Sequence, residues 1–350
     1  MTMSPKTIFL LGATGFVGSY VTELLYQKYP EHRLIALLRN PTPERTQELR
    51  SLHPNIEILH GNLEDRNLVA ETAENVDIVV HVAHSDHEPS VSAILEGLTK
   101  RSAAKGRTNE ELPIYLHMSG CGIIADNARG ERIPRECVKE WSDLDLSLYE
   151  CPAENTHLPT DKQIFEAGMR KEKPIRTVIV FPSLIYGVGR TGKRSGMWVP
   201  IFTELARKAG HAGTWGPGEV TQYAVHVRDV AGAVMVLLSA ALEGRVKGGE
   251  DGLFFATTKE PNMTWKEIND VLGEILFKRG EVKEPGSKPF APEITEPLGD
   301  YGWSLLGSNG FARPDKLTAM GWEPEWTKKV PLRDVLYEMI EDGIDSHRTH

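Results

Sequence analysis

Apolar residues in this chain gather in short unbroken runs, separated by stretches in which they recur at helical spacing. The first run is Thr7-Ile8-Phe9-Leu10-Leu11, followed by His32 to Leu38, Asn55 to His60, Val76 to Ala83, Pro113 to Met118 and Ile175 to Phe181. Helical patterns lie between them, at about 19–29, 64–74, 87–105 and 158–172. Strands that are apolar nearly throughout are covered on both faces, and strands that alternate with amphipathic helices pair in parallel. The pattern therefore predicts an α/β fold, a doubly wound parallel sheet.

Beyond Pro182 the rhythm changes. Tyr186 to Gly196 is a glycine-rich basic loop, followed by a helix near 197–209, a run from Val220 to Val227 and a helix from Arg228 to Leu242. Residues 280–297, rich in Pro, Glu and Lys, read as a surface connection. Pro314 to Trp322 reads as a short helix ending at a glycine, before a last amphipathic helix from about 331. The expected organisation is a dinucleotide-binding domain over 1–182 and a smaller lobe over 183–350 that interleaves with it.

The first strand runs straight into Gly12-Ala13-Thr14-Gly15-Phe16-Val17-Gly18, after which helical spacing begins. Glycines at 12, 15 and 18 permit a tight turn, close approach to a pyrophosphate and close helix–strand contact, and the helix start offers unpaired N–H groups to the anion. This is the phosphate-binding corner of a Rossmann fold. Thr14, Phe16 and Val17 join the three glycines as expected cofactor-binding residues.

The end of the second strand selects the cofactor. NAD sites usually place a carboxylate there for the ribose hydroxyls. Here the chain reads Leu38-Arg39-Asn40, with no carboxylate and with Arg39 suited to a 2′-phosphate. The expectation is NADP(H).

Composition narrows the remaining classes. The 350 residues hold 40 basic and 49 acidic side chains, a net charge of −9, which argues against nucleic acid or an anionic membrane as partner and for a small soluble ligand. The three cysteines, Cys121, Cys137 and Cys151, are odd in number and lack metal spacing. The N-terminus lacks a signal-peptide pattern and no apolar run is long enough for a bilayer, so a cytoplasmic location is expected. His81, His84 and His87 invite a metal reading, but strand alternation sends the first two to opposite sides, and no metal site is expected.

These motifs together resemble the extended short-chain dehydrogenase/reductase family, the NAD-dependent epimerase/dehydratase-like group that includes nucleotide-sugar epimerases and dihydroflavonol reductases. The resemblance rests on the glycine corner, on Gly61-Asn62-Leu63-Glu64-Asp65, on Asp77 to His84, on Phe181-Pro182-Ser183-Leu184-Ile185-Tyr186-Gly187, on Val225 to Val230 and on Leu317 to Trp322. It implies that Asn62 and Leu63 line the adenine, Ala83 the dinucleotide and Pro182 the nicotinamide. It also implies a catalytic Ser, Tyr and Lys, the last two spaced Tyr-x-x-x-Lys on one helix. Ser119 and Lys162 fall in the matching places, with Lys162 expected to hold the cofactor ribose as well.

The tyrosine is absent: four residues before Lys162 stands Leu158. His157 and Asp161, themselves four apart, form either a local helix-end pair or a histidine held by a carboxylate for proton transfer. Tyr149 and Tyr186 are further candidates if loops bring them in. The long segment between Ser119 and Lys162 is expected to wall the substrate pocket, and the basic residues Arg190, Lys193 and Arg194 to grip an anion or cover the site.

The resulting expectation is an NADPH-dependent reductase of a small organic carbonyl, imine or alkene, with Ser119, Lys162 and His157 as catalytic residues. A non-catalytic NADP-binding sensor or regulator, and an epimerase or dehydratase, stand as alternatives. The family's habit of pairing through the helices at about 87–105 and 158–172 suggests a homodimer.

Overall fold

Continuous apolar runs become strands because both of their faces are covered. A computed structural model of the chain describes residues 4–103, 112–191, 193–259 and 261–348. Its first half contains β1 (Thr7–Leu11), α1 (Gly18–Lys28), β2 (Arg33–Leu38), α2 (Pro43–Leu52), β3 (Glu57–His60), α3 (Arg66–Glu74), β4 (Ile78–His81) and α4 (Glu88–Ser102). Then come β5 (Ile114–Met118), β6 (Glu140–Ser142), α5 (Leu158–Met169) and β7 (Arg176–Pro182). The helix expected over 87–105 ends at Ser102, and positions 104 and 105 lie outside the described residues.

The second half opens with β8 (Leu184–Tyr186), α6 (Trp198–Ala209), β9 (Ala212–Thr214), β10 (Thr221–His226) and α7 (Val227–Leu242). It continues through β11 (Leu253–Ala256), β12 (Pro261–Thr264), α8 (Trp265–Lys278), β13 (Ser287–Pro289) and α9 (Pro292–Thr295). It closes with α10 (Gly299–Leu306), β14 (Phe311–Arg313), α11 (Asp315–Ala319), α12 (Glu325–Lys329) and α13 (Leu332–Arg348).

Seven strands form one parallel sheet in the order β11-β7-β5-β4-β1-β2-β3. Alternation along each strand divides the core in two. Ile8, Leu10, Val80, Leu116 and Val178 face α1 and α7, while Phe9, Leu11, Val79, Tyr115 and Ile179 face α4 and α5. The chain leaves β1 toward β2 on one side and returns at β4 on the other. Ligands of open α/β sheets bind at such a reversal, beyond the carboxyl ends of the strands.

The glycine corner closes directly on that reversal. Gly12 has φ +96°, and a Cβ there would lie 2.8 Å from the backbone of Val82 and Ala83 at the end of β4. A Cβ on Gly18 would run into the Gly12 carbonyl oxygen. Alanine replacing glycine within a helix normally stabilises by about 1 kcal/mol. At Gly18 the sign is expected to reverse, with Gly18→Ala destabilising by about 1–3 kcal/mol through overpacking, read as a lower urea midpoint.

The smaller lobe has its own core around Trp198, Phe202, Trp215 and Trp265, and its strands β12, β10 and β8 form a separate sheet. It is not a detached unit. β11 supplies an edge strand to the main sheet, and α7 packs on the sheet beside α1. The expected surface connection over 280–297 contains β13 and α9. Among the described residues, no helix is long and apolar enough to cross a membrane.

Candidate active site

Four strand ends meet at the reversal: β1 delivers the glycine corner, β4 Val82 and Ala83, β5 Ser119, and β7 Pro182. Gly15 N–H donates to the Gly12 carbonyl at 2.8 Å, which fixes the turn. Phe16 and Val17 are buried in the core, so only their backbones face a ligand.

Arg39 is exposed at the end of β2. Arg45 from α2 donates to the Asn40 carbonyl at 3.0 Å and to Thr14 Oγ1 at 3.4 Å. From the smaller lobe, Thr191 donates its hydroxyl to the Thr14 carbonyl at 3.0 Å, and Tyr20 from α1 donates to the Val188 carbonyl at 2.8 Å. The basic loop thus lies over the glycine corner. Crowding by the chain, then the Arg39 charge, pushes the Lys193 ammonium below its usual value. The other basic residues of the loop are paired, Arg190 with Glu23 and Arg194 with Asp342.

At the far side of the corner, Asn62 turns inward on its own loop. Its Oδ1 accepts from Glu64 N–H at 2.7 Å, while its N–H donates to Asp65 Oδ2 at 2.7 Å. The Asn62 carbonyl is therefore engaged and its amide hydrogens are the part left for a ligand. Leu63 is half-buried beside the second core cluster.

The catalytic side departs from expectation at two points. Ser119 does not meet Lys162. It donates to Asp161 Oδ2 at 2.7 Å, and Asp161 is fully buried. Lys162, one residue along and so about 100° further round the helix, holds its ammonium 5.6 Å from the ring of exposed Tyr149. Leu158, in the tyrosine's place, is buried in the core. With Lys162 turned outward, Lys162→Ala is expected to leave turnover and cofactor affinity within about threefold of wild type, less than the ~1.4 kcal/mol that a tenfold change represents.

The second correction concerns His157. It does not pair with Asp161, because it is not in the helix: it caps α5 with φ +73° and ψ −27°, in the left-handed region. The four-residue spacing rule holds only for helical backbone, and the left-handed residue sends its ring off the helix face. His157 Nδ1 lies 2.7 Å from Asp86 Oδ1 and 3.2 Å from Ser85 Oγ. Nε2 sits against the loop after Ser119, where a Cβ on Gly120 would come within 2.9 Å of it. A non-glycine residue in this conformation costs on the order of 1 kcal/mol or more, and such strain concentrates at functional sites. Burial tends to raise the Asp86 carboxyl, but the His157 bond and charge, helped by His84 and Ser85, hold it below the ordinary carboxylate range.

The remaining tyrosine candidates separate cleanly. Tyr186 is buried with its hydroxyl donated to the Val330 carbonyl at 2.7 Å. Tyr149 donates to Glu166 on the outer side of α5. Tyr301 on α10, which spacing did not single out, lies within electrostatic reach of Asp86. Burial, then that carboxylate, pushes its hydroxyl up to about 12. Part of the segment between Ser119 and α5 walls this region, since Asn155 Nδ2 holds the Ile123 and Ala125 carbonyls at 2.9 and 3.0 Å.

The three histidines near β4 go three ways. His81 is buried beside Tyr115, His84 accepts from Asp86 N–H, and His87 pairs with Glu64 at 2.8 Å. No group of three His, Cys, Asp or Glu among the described residues is placed to hold a metal. A cavity of about 540 Å³ beside Tyr149, Glu166 and Met169 includes none of the residues at Ser119.

A glycine corner at a sheet reversal, roofed by a basic loop and flanked by a serine and a histidine, defines a dinucleotide-binding α/β protein. Residues 8–109 match the model of the NAD dependent epimerase/dehydratase family. The chain is 27% identical over 292 residues to the oxidase ucsJ of Acremonium sp, covering 79% of this chain and 81% of the relative. It is 25% identical over 351 residues to cinnamoyl-CoA reductase 2 of Arabidopsis thaliana, covering 97% and 93%. The dTDP-glucose 4,6-dehydratase of Bacillus anthracis, solved in complex with NAD, superposes with a TM-score of 0.60 at 15% identity over 96% of each chain. Over its first third the chain is thus similar to the NAD-dependent epimerase/dehydratase family, and its fold is that of the solved dehydratase.

The site fits the nicotinamide dinucleotide this group binds. Gly12 and Gly18 leave no room for a side chain, so only backbone lines the corner, and the start of α1 presents N–H groups there.

Proposed function

We propose that the protein is an NADPH-dependent reductase of a small organic carbonyl, imine or alkene, with His157 in place of the family's tyrosine. The observation that carries the reading is His157 held on Asp86 at 2.7 Å with Nε2 against the residue after Ser119. The bound cofactor supplies two electrons and a hydrogen. The chain's part is to orient the substrate oxygen on the Ser119 hydroxyl and to deliver a proton to it from His157 Nε2. Asp86, accepting from Nδ1–H, fixes the tautomer and steadies the charged ring. Arg39 and Arg45 favour a 2′-phosphate, and NADPH favours net reduction over an epimerisation in which the cofactor is regenerated in place.

The test is a screen of aldehydes, ketones, imines and conjugated alkenes for NADPH consumption by the purified protein. Steady consumption on at least one class is expected. Tight NADPH binding with no turnover on any class would instead favour a sensor or regulator, and copurifying cofactor that is never consumed would favour an epimerase or dehydratase.

A further inference from the structure

Behind Ser119 lies a buried polar chain that neither the phosphate corner nor His157 uses. Alternate residues of β5 share a face, so Tyr115, His117 and Ser119 point together toward α5, which lays Asp161 against them. Asp161 Oδ2 takes the Ser119 hydroxyl, and its other oxygen faces His117 Nε2 at 3.8 Å. Among the described residues, neither Asp161 Oδ1 nor His117 Nε2 makes a full hydrogen bond, with the Ser85 backbone facing the His117 ring, and both side chains are fully buried. His117 Nδ1, His81 Nδ1 and the Tyr115 hydroxyl lie 3.2 Å from one another.

A buried carboxyl is normally paired with a cation. Among the described residues, the titratable groups around Asp161 are Asp86 from the loop after β4, Tyr115 and His117 from β5 with His81 from β4 behind them, Cys151 from the segment before α5, and His157 at the head of its own helix. None is a lysine or arginine. Burial raises the carboxyl to about 7, with the His157 charge and the Ser119 bond pulling down and Asp86 pushing up.

We propose that Asp161 is a positioning residue for Ser119, and that the proton on its buried carboxyl decides which way the Ser119 hydroxyl points. An ionised carboxylate only accepts, so Ser119 O–H donates to it and turns lone pairs toward the cleft. A protonated carboxyl donates to Ser119 Oγ, which frees the serine hydrogen for a substrate oxygen. Only the second state polarises a carbonyl. No bond to substrate involves Asp161, which keeps its own proton while His157 supplies the one transferred. The inference rests on the reading of Ser119 as the group that meets the substrate.

Protein labelled at the aspartate side-chain carboxyl carbon, titrated by NMR without cofactor, tests the pairing independently of turnover. One carboxyl is expected to titrate near pH 7, to vanish in Asp161→Asn, and to shift upward in Ser119→Ala, which removes the bond that stabilises the ionised form. Absence of any carboxyl titrating near neutrality, or one unmoved by Ser119→Ala, would overturn the proposal. With benzaldehyde and NADPH, kcat/KM of the wild type should fall as pH rises through about 7. His157 as the general acid adds its own falling limb, so the two profiles are compared: Asp161→Asn, whose amide donates to Ser119 at every pH, should fall less steeply above about pH 7 than the wild type, and superimposable profiles would equally overturn the proposal. If the wild type consumes no NADPH with any substrate class, the reading of Ser119 fails while the NMR titration still decides the pairing.

Discussion

His157→Gln is expected to lower kcat by about 10²–10⁴-fold, the usual range for losing a general acid, while NADPH affinity stays close to wild type. Steady-state NADPH oxidation on the best substrate of the screen, alongside direct cofactor titration, checks both halves. The family's tyrosine position is filled by a core leucine, Leu158, and its lysine position points to Tyr149. Among the described residues, His157 couples a ring nitrogen beside the Ser119 loop to a half-buried carboxylate behind it. Glutamine keeps a polar side chain for Asp86 but carries no titratable proton. Asp86→Asn should fall in the same direction by a smaller factor, because the ring remains while its charged form loses its counter-ion. If His157→Gln turns over like wild type while Lys162→Ala does not, the assignment of the acid is wrong.

Arg39→Ala is expected to weaken NADPH binding by roughly 10–100-fold, corresponding to the ~1.5–3 kcal/mol of a hydrogen bond to a charged group, and to leave NADH nearly unchanged. Fluorescence titration of wild type and variant with both nucleotides reads the ratio. Among the described residues Arg39 has no carboxylate in ion-pair contact, and the Lys193 ammonium feels its charge. Arg45, already fixed by the Asn40 carbonyl and Thr14, brings a third cation to the same place. Three positive groups with no acidic side chain paired to them among the described residues suit a dianionic phosphate. Because exposed charges are screened, the NADPH advantage should shrink as salt is raised.

The sheet was legible because its strands are buried on both faces and so read as unbroken apolar runs. β1 matches its expected bounds, and β2 to β5 and β7 fall within one or two residues of theirs. Helix α2 left no periodic trace, since only Leu49 and Leu52 are buried on it; its signal was the Thr42 cap and Pro43 at its first turn. β11 is four residues long and reaches the sheet only after a lobe insertion, so nothing local distinguishes it from the lobe's own short strands. For α8 the Thr264 and Glu267 capping box was a readable start.

At the site, residues defined by backbone were legible and those defined by long-range packing were not. The glycines at 12, 15 and 18 and Ser119 sit at strand ends that sequence locates. Spacing could not reveal that His157 turns left-handed, which cancels the four-residue rule and sends the ring to Asp86, 71 residues away. Nor could it choose between Asp161 and Lys162 as the neighbour of Ser119. That choice depends on the rotation of α5 against β5, which is set by the burial of Leu158, Ile164 and Ala167.

Calorimetric titration of the purified chain with NADPH and then NADH addresses most directly whether the β1 corner holds a phosphorylated dinucleotide. Saturable one-site binding of NADPH, at least about tenfold tighter than NADH, is the predicted result. Equal affinities, or no heat from either nucleotide, would contradict it.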